Sequence, residues 1–233
     1  MQAEDRLIHF STEWFHPPVQ HKVAALQKLY YELSQVRTAA YDSSDFSLPG
    51  QPKFHSRRGQ RSQSIAVFLP DRVALIEEWA DIPLSTFLEK CQEVSHRVLE
   101  VLQIPVFVAQ SVTLRATLAL THFEDARVFL LEHVCCQEGR IGPYFSRPLA
   151  TAGLRLVFPE TPDHPGNLQI TIEPYRHSRT EVFVEVRGMF TGLQIGRDTC
   201  DALRGNIVSV RSFITNHIFP YLNQYDVRAG DAV

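Results

Sequence analysis

A basic segment at 53–61 is the strongest local concentration of charge in this sequence. It reads Lys-Phe-His-Ser-Arg-Arg-Gly-Gln-Arg, and its four cations are Lys53, Arg57, Arg58 and Arg61. A flexible basic loop of this kind can follow a phosphate backbone by displacing counterions, which makes nucleic acid one candidate partner. A solvated loop or contact with an acidic protein surface is the alternative, because the chain shows no supporting basic domain: 26 Asp and Glu outnumber 23 Lys and Arg.

Arg115 is the second candidate for chemistry. It interrupts a strand pattern whose same face carries only small residues, namely Ala109, Ser111, Thr113, Thr117 and Ala119. Small neighbours around one guanidinium leave room for an anion, which the fork of donors can bind in bidentate fashion. The other interpretation is that Arg115 bridges two layers of the fold through a buried carboxylate.

Patterns for catalysis or metal binding are absent or weak. The sequence has no Gly-x-Ser-x-Gly nucleophile turn, no phosphate-binding P-loop and no dinucleotide fingerprint. Glu132, His133, Cys135 and Cys136 lie close in sequence, but vicinal cysteines at a helix end diverge instead of converging on one ion. We therefore assign no catalytic residue, no metal ligand and no cofactor from the sequence.

Hydrophobic periodicity divides residues 1–104 into a strand, a helix, a group of strands and a second helix. Alternation predicts the first strand, and apolar residues three or four apart predict the helices. A Ser-, Gly- and Pro-rich stretch at 38–64 predicts a long mobile loop, in which 53–56 could add an edge strand. The other predicted elements are strands at 7–15, 65–69 and 72–79 and helices at 19–37 and 84–102.

The same succession follows in residues 105–226. Thr121 and Glu124 form a capping-box signature, which predicts a helix that begins there and ends near 139–143. We expect the last residues, 227–233, to be a frayed tail. The other predicted elements are strands at 106–120, 154–158, 168–173 and 181–187 and a helix at 197–221.

Each unit thus has the order β-α-β(2–3)-α, which predicts an internally duplicated α+β fold. A mainly antiparallel sheet with helices packed on one face buries one side of each hairpin. We expect units 1–104 and 105–226 to pack as one compact body, with a seam of the kind in which ligands bind. The order of elements resembles the duplicated architecture of the TATA-binding-protein-like class, a likeness of arrangement that implies no function.

The composition is that of a globular protein, for which we expect a cytoplasmic location. The hydrophobic fraction is 44% and the charged fraction 21%. No apolar run approaches the roughly 20 residues needed to span a bilayer, and the N-terminus lacks the features of a secretory signal. The four cysteines then indicate reduced thiols, and a membrane partner is not expected.

These observations favour a non-enzymatic binding or assembly module of a cytoplasmic macromolecular complex, with a protein partner or self-association into an oligomer. Two alternatives stay open. One is nucleic-acid binding through the basic segment 53–61. The other is binding or conversion of a small anionic ligand at the seam, where Arg115 would meet the anion.

Overall fold

Within the part of the chain that the structure describes, nine strands, each antiparallel to its neighbours, form one continuous sheet. The structure is a computed structural model that describes residues 5–48, 50–137 and 139–227. The strands are β1 (Asp5–Phe15), β2 (Ser43–Asp45), β3 (Lys53–Arg58), β4 (Ser62–Leu69), β5 (Arg72–Glu78), β6 (Ala109–Ala119), β7 (Leu154–Phe158), β8 (Asn167–Pro174) and β9 (Glu181–Phe190). Their order across the sheet is β2-β3-β4-β5-β1-β6-β9-β8-β7, so β1 pairs with β6 near the middle.

Helices complete a mixed α and β fold. They are α1 (Val23–Ser34), α2 (Leu84–Val101), α3 (Ala126–Val128), α4 (Gly142–Phe145), α5 (Asp201–Phe213) and α6 (Phe219–Asn223). A π-helical segment extends α3 over Phe129–Val134, a second joins α5 to α6 over Ile214–Ile218, and a 3₁₀ turn at Arg197–Thr199 precedes α5. Among the described residues, no helix combines the length and the apolar character that a membrane span requires.

Strand alternation gives the sheet two different faces. In β1, Phe10 and Trp14 are fully buried, whereas Ser11 and Glu13 on the opposite face are partly exposed. The buried side packs against the long helices: the ring of Phe87 in α2 lies 5.3 Å from that of Phe10, and α2 contacts both α1 and α5. We name the other side, which carries Ser11 and Glu13, the open face.

The predicted mobile loop at 38–64 is wrong over much of its length. The structure instead has β2, β3 and the beginning of β4 there, and β2 rather than 53–56 is the edge strand. Phe54 explains the order, because its fully buried ring lies 4.6 Å from the ring of Phe68 and 5.2 Å from that of Tyr30 in α1. One aromatic residue therefore anchors the basic segment as a hairpin strand.

Strands β4 and β5 depart from the usual polarity of a half-buried sheet at several positions. Ser64 and Glu77 point to the helices and are buried, whereas Ile65, Val67 and Ile76 lie partly exposed on the open face. An antiparallel sheet normally places its polar side chains on the solvated side. This part of the open face is therefore an aliphatic stripe.

Lys90 of α2 satisfies the polar groups that β4 and β5 bury. Its ammonium donates to the Glu77 carboxylate at 2.7 Å and to the Ser64 hydroxyl, and it lies 4.4 Å from the centre of the Tyr41 ring. Ser64 also donates to Glu77 at 2.8 Å. Lys90 and Glu77 are each only 1% exposed, so the pair fixes how α2 sits on the sheet.

The helix predicted from Thr121 and Glu124 begins later than expected. Asp125 is the N-cap of α3, and its carboxylate accepts a hydrogen bond from the Arg127 amide at 2.9 Å. The amide of Thr121 instead donates to Asp226 at 2.6 Å, which ties the end of β6 to the C-terminal segment. Of the predicted frayed tail, residues 228–233 lie outside the described part of the chain.

Candidate ligand-binding cleft

A cleft of about 490 Å³ lies on the open face where β1, β5, β6, β8 and β9 come together. This volume is within the range of small-molecule sites, about 300–1,000 Å³. We name it the central cleft. Its lining residues are Ile8, His9, Glu78, Trp79, Arg115, Thr171, Glu173, Pro174, Tyr175, Arg176, His177, Phe183 and Glu185.

The floor of the central cleft is a row of five residues that lie opposite one another on five adjacent strands. In order across β5, β1, β6, β9 and β8 they are Glu78, His9, Arg115, Glu185 and Thr171. Directly opposed side chains on one face of a sheet are close enough to interact. The register of the sheet therefore assembles a polar floor from residues that are distant in sequence.

Arg115 is held by a carboxylate on the neighbouring strand of the same face. Its Nε donates to Oε2 of Glu185 at 2.6 Å, and Nε of Arg187 donates to the other oxygen of Glu185 at 2.7 Å. Burial raises the pKa of Glu185, but the hydrogen bonds from both arginines outweigh burial, so its pKa is lower than usual. Two guanidiniums thus share the Glu185 carboxylate, so this three-residue cluster carries one positive charge that Glu185 does not balance, while Glu78 stands at the other end of the floor.

The terminal nitrogens of Arg115 have no hydrogen-bond partner among the residues that the structure describes. The pair with Glu185 holds the guanidinium through Nε and leaves these donors for other contacts. Bidentate binding of a phosphate or carboxylate uses parallel donors of this kind. One interpretation of the sequence predicts that Arg115 bridges two layers of the fold. The structure shows instead that Arg115 pairs with Glu185 on the neighbouring strand of the same sheet.

His9 lies between Glu78 and Arg115 in the floor and is 8% exposed. Burial, with the neighbouring charge of Arg115, lowers its pKa from 6.5 to about 4. Its Nε2 lies 3.1 Å from the Ser11 hydroxyl. The imidazole is therefore neutral at pH 7 and adds no charge to the floor.

Aromatic rings form one wall of the central cleft. His177 lies edge-on to Trp79, with ring centroids 5.7 Å apart, and edge-on to Tyr175 at 5.3 Å. The ring of Phe183 is nearly parallel to that of Tyr175 at 6.3 Å. The aromatic wall thus runs from the end of β5 to β9 across the turn that joins β8 to β9.

Trp79 holds its place in this wall through an unusual backbone conformation. Its φ angle is +50°, in the left-handed region that a bulky side chain rarely adopts. The next residue fixes that conformation, because the amide of Ala80 donates to the carbonyl of Ile8 at 3.1 Å. A conformation of this kind costs on the order of 1–3 kcal/mol and is concentrated at functional sites.

Arginines also surround the mouth of the central cleft. The guanidinium of Arg61 lies 5.7 Å from the centre of the Trp79 ring. Burial, aided by Glu181, raises the pKa of Tyr175, while the charges of Arg6, Arg176 and Arg61 oppose that rise. These three arginines have no ion-pair partner within the described ranges, so they attract anions to the mouth.

The turn that carries Tyr175 and His177 is anchored from outside the cleft. Nε of Arg179 donates to the Asp125 carboxylate at 3.1 Å, and the carbonyl of Arg179 accepts from the Ala126 amide at 2.8 Å. The hydrogen bond from Arg127 holds the pKa of Asp125 well below its usual range. The start of α3 therefore sets the position of the aromatic wall.

The structure separates the residues of the basic segment. Lys53 pairs with Asp45 at 3.3 Å, and Arg57 is exposed on the open face away from the cleft. Arg58 turns toward the helices, where Nη1 lies 3.9 Å from the Glu77 carboxylate and 3.8 Å from that of Asp81. Of these four residues, only Arg61 lies beside the central cleft, against the ring of Trp79, whereas the other predicted site residue, Arg115, lines the cleft itself.

The Ser64 hydroxyl and the Lys90 amine lie close together but away from the central cleft. Ser64 and Lys90 would pair a hydroxyl with an amine, but both are fully buried under α2. In the described ranges, no three His, Cys, Asp or Glu side chains are grouped to hold a metal ion, and this covers the cluster at 132–136. All four cysteines are free thiols.

Comparison with known proteins leaves the site to be interpreted from its geometry. No protein-family model matches the chain, and no curated protein matches it. The central cleft offers guanidinium donors, carboxylate acceptors and aromatic rings, and its lining contains neither Ser nor Cys.

Proposed function

We propose that this protein is a non-enzymatic binding module whose central cleft holds a small anionic ligand. The observation that carries the proposal is the floor in which Arg115 and Arg187 share the single carboxylate of Glu185. An anion seated against the terminal nitrogens of Arg115 would balance the second of the two guanidiniums that share Glu185, while leaving the ion pair intact. The unpaired arginines at the mouth would raise the local concentration of such a ligand.

The composition of the cleft favours binding over catalysis. A nucleophilic site needs a hydroxyl or thiol beside a base, and the hydroxyls of the lining belong to Thr171 and Tyr175. The pKa of His9, about 4, is far below the value near 7 that suits general base catalysis. The floor is built to hold charge in place rather than to transfer protons.

The duplication predicted from the sequence belongs to the same proposal. Outward from the centre, the sheet runs β1-β5-β4-β3 on one side and β6-β9-β8-β7 on the other. This order supports two units, 1–104 and 105–226, in the arrangement of the TATA-binding-protein-like class. The central cleft would then be the seam between the units. Ile8, His9, Glu78 and Trp79 of its lining belong to the first unit, and the other lining residues belong to the second. Free thiols support a cytoplasmic location.

A second candidate function is docking of a protein partner or a second copy on the aliphatic stripe. Ile65, Val67 and Ile76 stand partly exposed on the open face where polar residues are usual. Contiguous apolar side chains on a surface mark interaction sites. Light scattering of the wild-type protein and of Ile65→Lys would test self-association, which the variant should weaken; a wild-type monomer would leave a different protein as the partner.

Thermal unfolding in the presence of simple anions tests the primary proposal. Phosphate and citrate at constant ionic strength should raise the melting temperature of the wild type, because a ligand at 100 times its Kd adds about 2.7 kcal/mol. Arg115→Gln should lose this response, and it should fold because Glu185 keeps its bond to Arg187. Arg57→Gln, on the same face but outside the cleft, is the matched control. An unchanged response in Arg115→Gln, or none in the wild type, would refute the proposal.

A further inference from the structure

We infer that the ligand of the central cleft is a nucleotide-like molecule, a planar nitrogen heterocycle that carries a phosphate. This inference rests on the proposed anion site and adds the part of the ligand that the arginines do not explain. The aromatic wall and the carboxylates of the floor both call for chemistry that a simple anion lacks. Each of these two features supports a different part of the ligand.

Trp79 supplies the surface on which the ring would stack. Its left-handed backbone, held by the hydrogen bond from the Ala80 amide to the carbonyl of Ile8, places a large ring in the cleft at a cost in conformational energy. If the Trp79 ring served only to fill space, a residue with an unstrained backbone could carry it. Tyr175 and His177 extend the same wall, and stacking on such rings is a general mode of binding nucleobases.

The carboxylates of the floor select for a ring with N–H donors. Glu78 accepts a hydrogen bond from the Gln63 amide at Oε2, and Oε1 has no partner among the described residues. Glu173 also lines the cleft, and within the described part of the chain its carboxylate makes no hydrogen bond or ion pair. A carboxylate in a cleft repels an anion but accepts from the amino and imino groups of a nucleobase. A purely hydrocarbon ring would leave these acceptors without donors.

The distance between Glu78 and Arg115 in the floor fits a ligand with a base at one end and a phosphate at the other. Glu78 and Arg115 lie on β5 and β6, with His9 of β1 between them. Adjacent strands are about 4.8 Å apart, so the two side chains begin roughly 10 Å from each other. A nucleoside monophosphate has a comparable separation between the edge of its base and its phosphate. The base would thus face Glu78 while the phosphate meets Arg115 and, at the mouth, Arg176.

Calorimetric titration with a graded set of phosphates tests this inference. The probes are inorganic phosphate, ribose 5-phosphate, phenyl phosphate, AMP and GMP. We expect at least one nucleotide to bind about 5- to 150-fold more tightly than ribose 5-phosphate, the range that one stacked base contributes. Phenyl phosphate should fall below the better nucleotide, because it cannot donate to Glu78.

The results of this titration distinguish a nucleotide site from a simple anion site. Equal binding of phosphate, ribose 5-phosphate and nucleotides would overturn the heterocycle and keep the anion site. Phenyl phosphate binding as tightly as either nucleotide would overturn the part assigned to Glu78. No binding by any probe would overturn both.

Substitution of Trp79 adds a second measurement. Trp79→Leu should lose the preference for nucleotides over ribose 5-phosphate, and Trp79→Phe should keep part of it. Circular dichroism would confirm that both variants fold. Nucleotides should also change the fluorescence of the wild type, whose other tryptophan, Trp14, is fully buried; a full preference for nucleotides in Trp79→Leu would contradict the stacking role.

Discussion

Acidification should destabilise this protein through His9, and the structure gives the size of the effect. His9 is buried in the floor between Glu78 and Arg115, with the charges of Glu185 and Arg187 also within reach. Burial, then the charge of Arg115, disfavours its protonated form, whereas Glu78 and Glu185 favour it. The net result is a pKa of about 4 in the folded protein against 6.5 in an unfolded chain.

The direction of the pH effect on stability follows from these two pKa values. A base whose pKa is lowered by folding contributes its full stability above the unfolded pKa, 6.5, and loses it as the pH falls toward the folded pKa, about 4. A shift of this size corresponds to about 3 kcal/mol at most, at 1.36 kcal/mol for each pKa unit. At pH 5 about 2 kcal/mol is already lost, because the unfolded histidine is protonated and the folded one is not.

Urea unfolding of the wild type and of His9→Gln at pH 7 and pH 5 measures this contribution. Other groups also respond to acid, so the quantity of interest is the difference between the two proteins. That difference should move by about 2 kcal/mol in favour of the variant between pH 7 and pH 5. The exposed His122→Gln is the matched control. A constant difference between wild type and His9→Gln would refute the assignment of a buried neutral imidazole.

Three further substitutions test the packing around the sheet. Lys90→Met should cost about 3–5 kcal/mol of unfolding free energy, because the buried Glu77 carboxylate then keeps, among the described residues, only the longer ion pair with Arg58 at 3.9 Å, and the double variant with Glu77→Leu should recover much of the loss; a double variant no more stable than the single one would contradict this. Gly188→Ala should cost about 1–3 kcal/mol, since a Cβ there would lie 2.8 Å from a Val210 methyl group, and an unchanged urea midpoint would show that α5 yields. Asp125→Ala should lower the melting temperature by removing the cap of α3, worth about 1 kcal/mol, and Asp125→Asn should retain most of it.

The sequence predicts the regular elements well where one face of a strand or helix is apolar. The strand of β1, the helix α2 and the hairpin of β8 and β9 lie close to the ranges that their periodicity predicts. It fails at 38–64, because Ser62 and Ser64 occupy buried positions of β4, and Lys90, which is the partner of Ser64, comes from a later helix. Polar residues predict a loop unless the residue that satisfies their hydrogen bonds is known, and in a strand that residue can be distant in sequence.

The site could be predicted only in part. Arg115 stands out because small residues surround it in the strand pattern, and it does lie in the central cleft. Its partner Glu185 is 70 residues away, and nothing local distinguishes it from other glutamates on solvated strands. The left-handed backbone of Trp79 has no signal either, since its neighbours contain no turn motif and the conformation depends on a hydrogen bond to β1.

Two irregular positions of the backbone, the bulge in β1 and the left-handed Trp79, meet at the central cleft, and this supports placing the function there. The pairing of β1 with β6 shifts at Ile8, where a bulge separates Leu7, opposite Ala116, from His9, opposite Arg115. The carbonyl of Ile8 then accepts the hydrogen bond that follows the strained Trp79. Bulges and strained residues persist where the surrounding structure fixes them, and both are frequent beside binding sites. Because one hydrogen bond joins the bulge to the strained residue, the charged floor and the aromatic wall are positioned by the same piece of backbone.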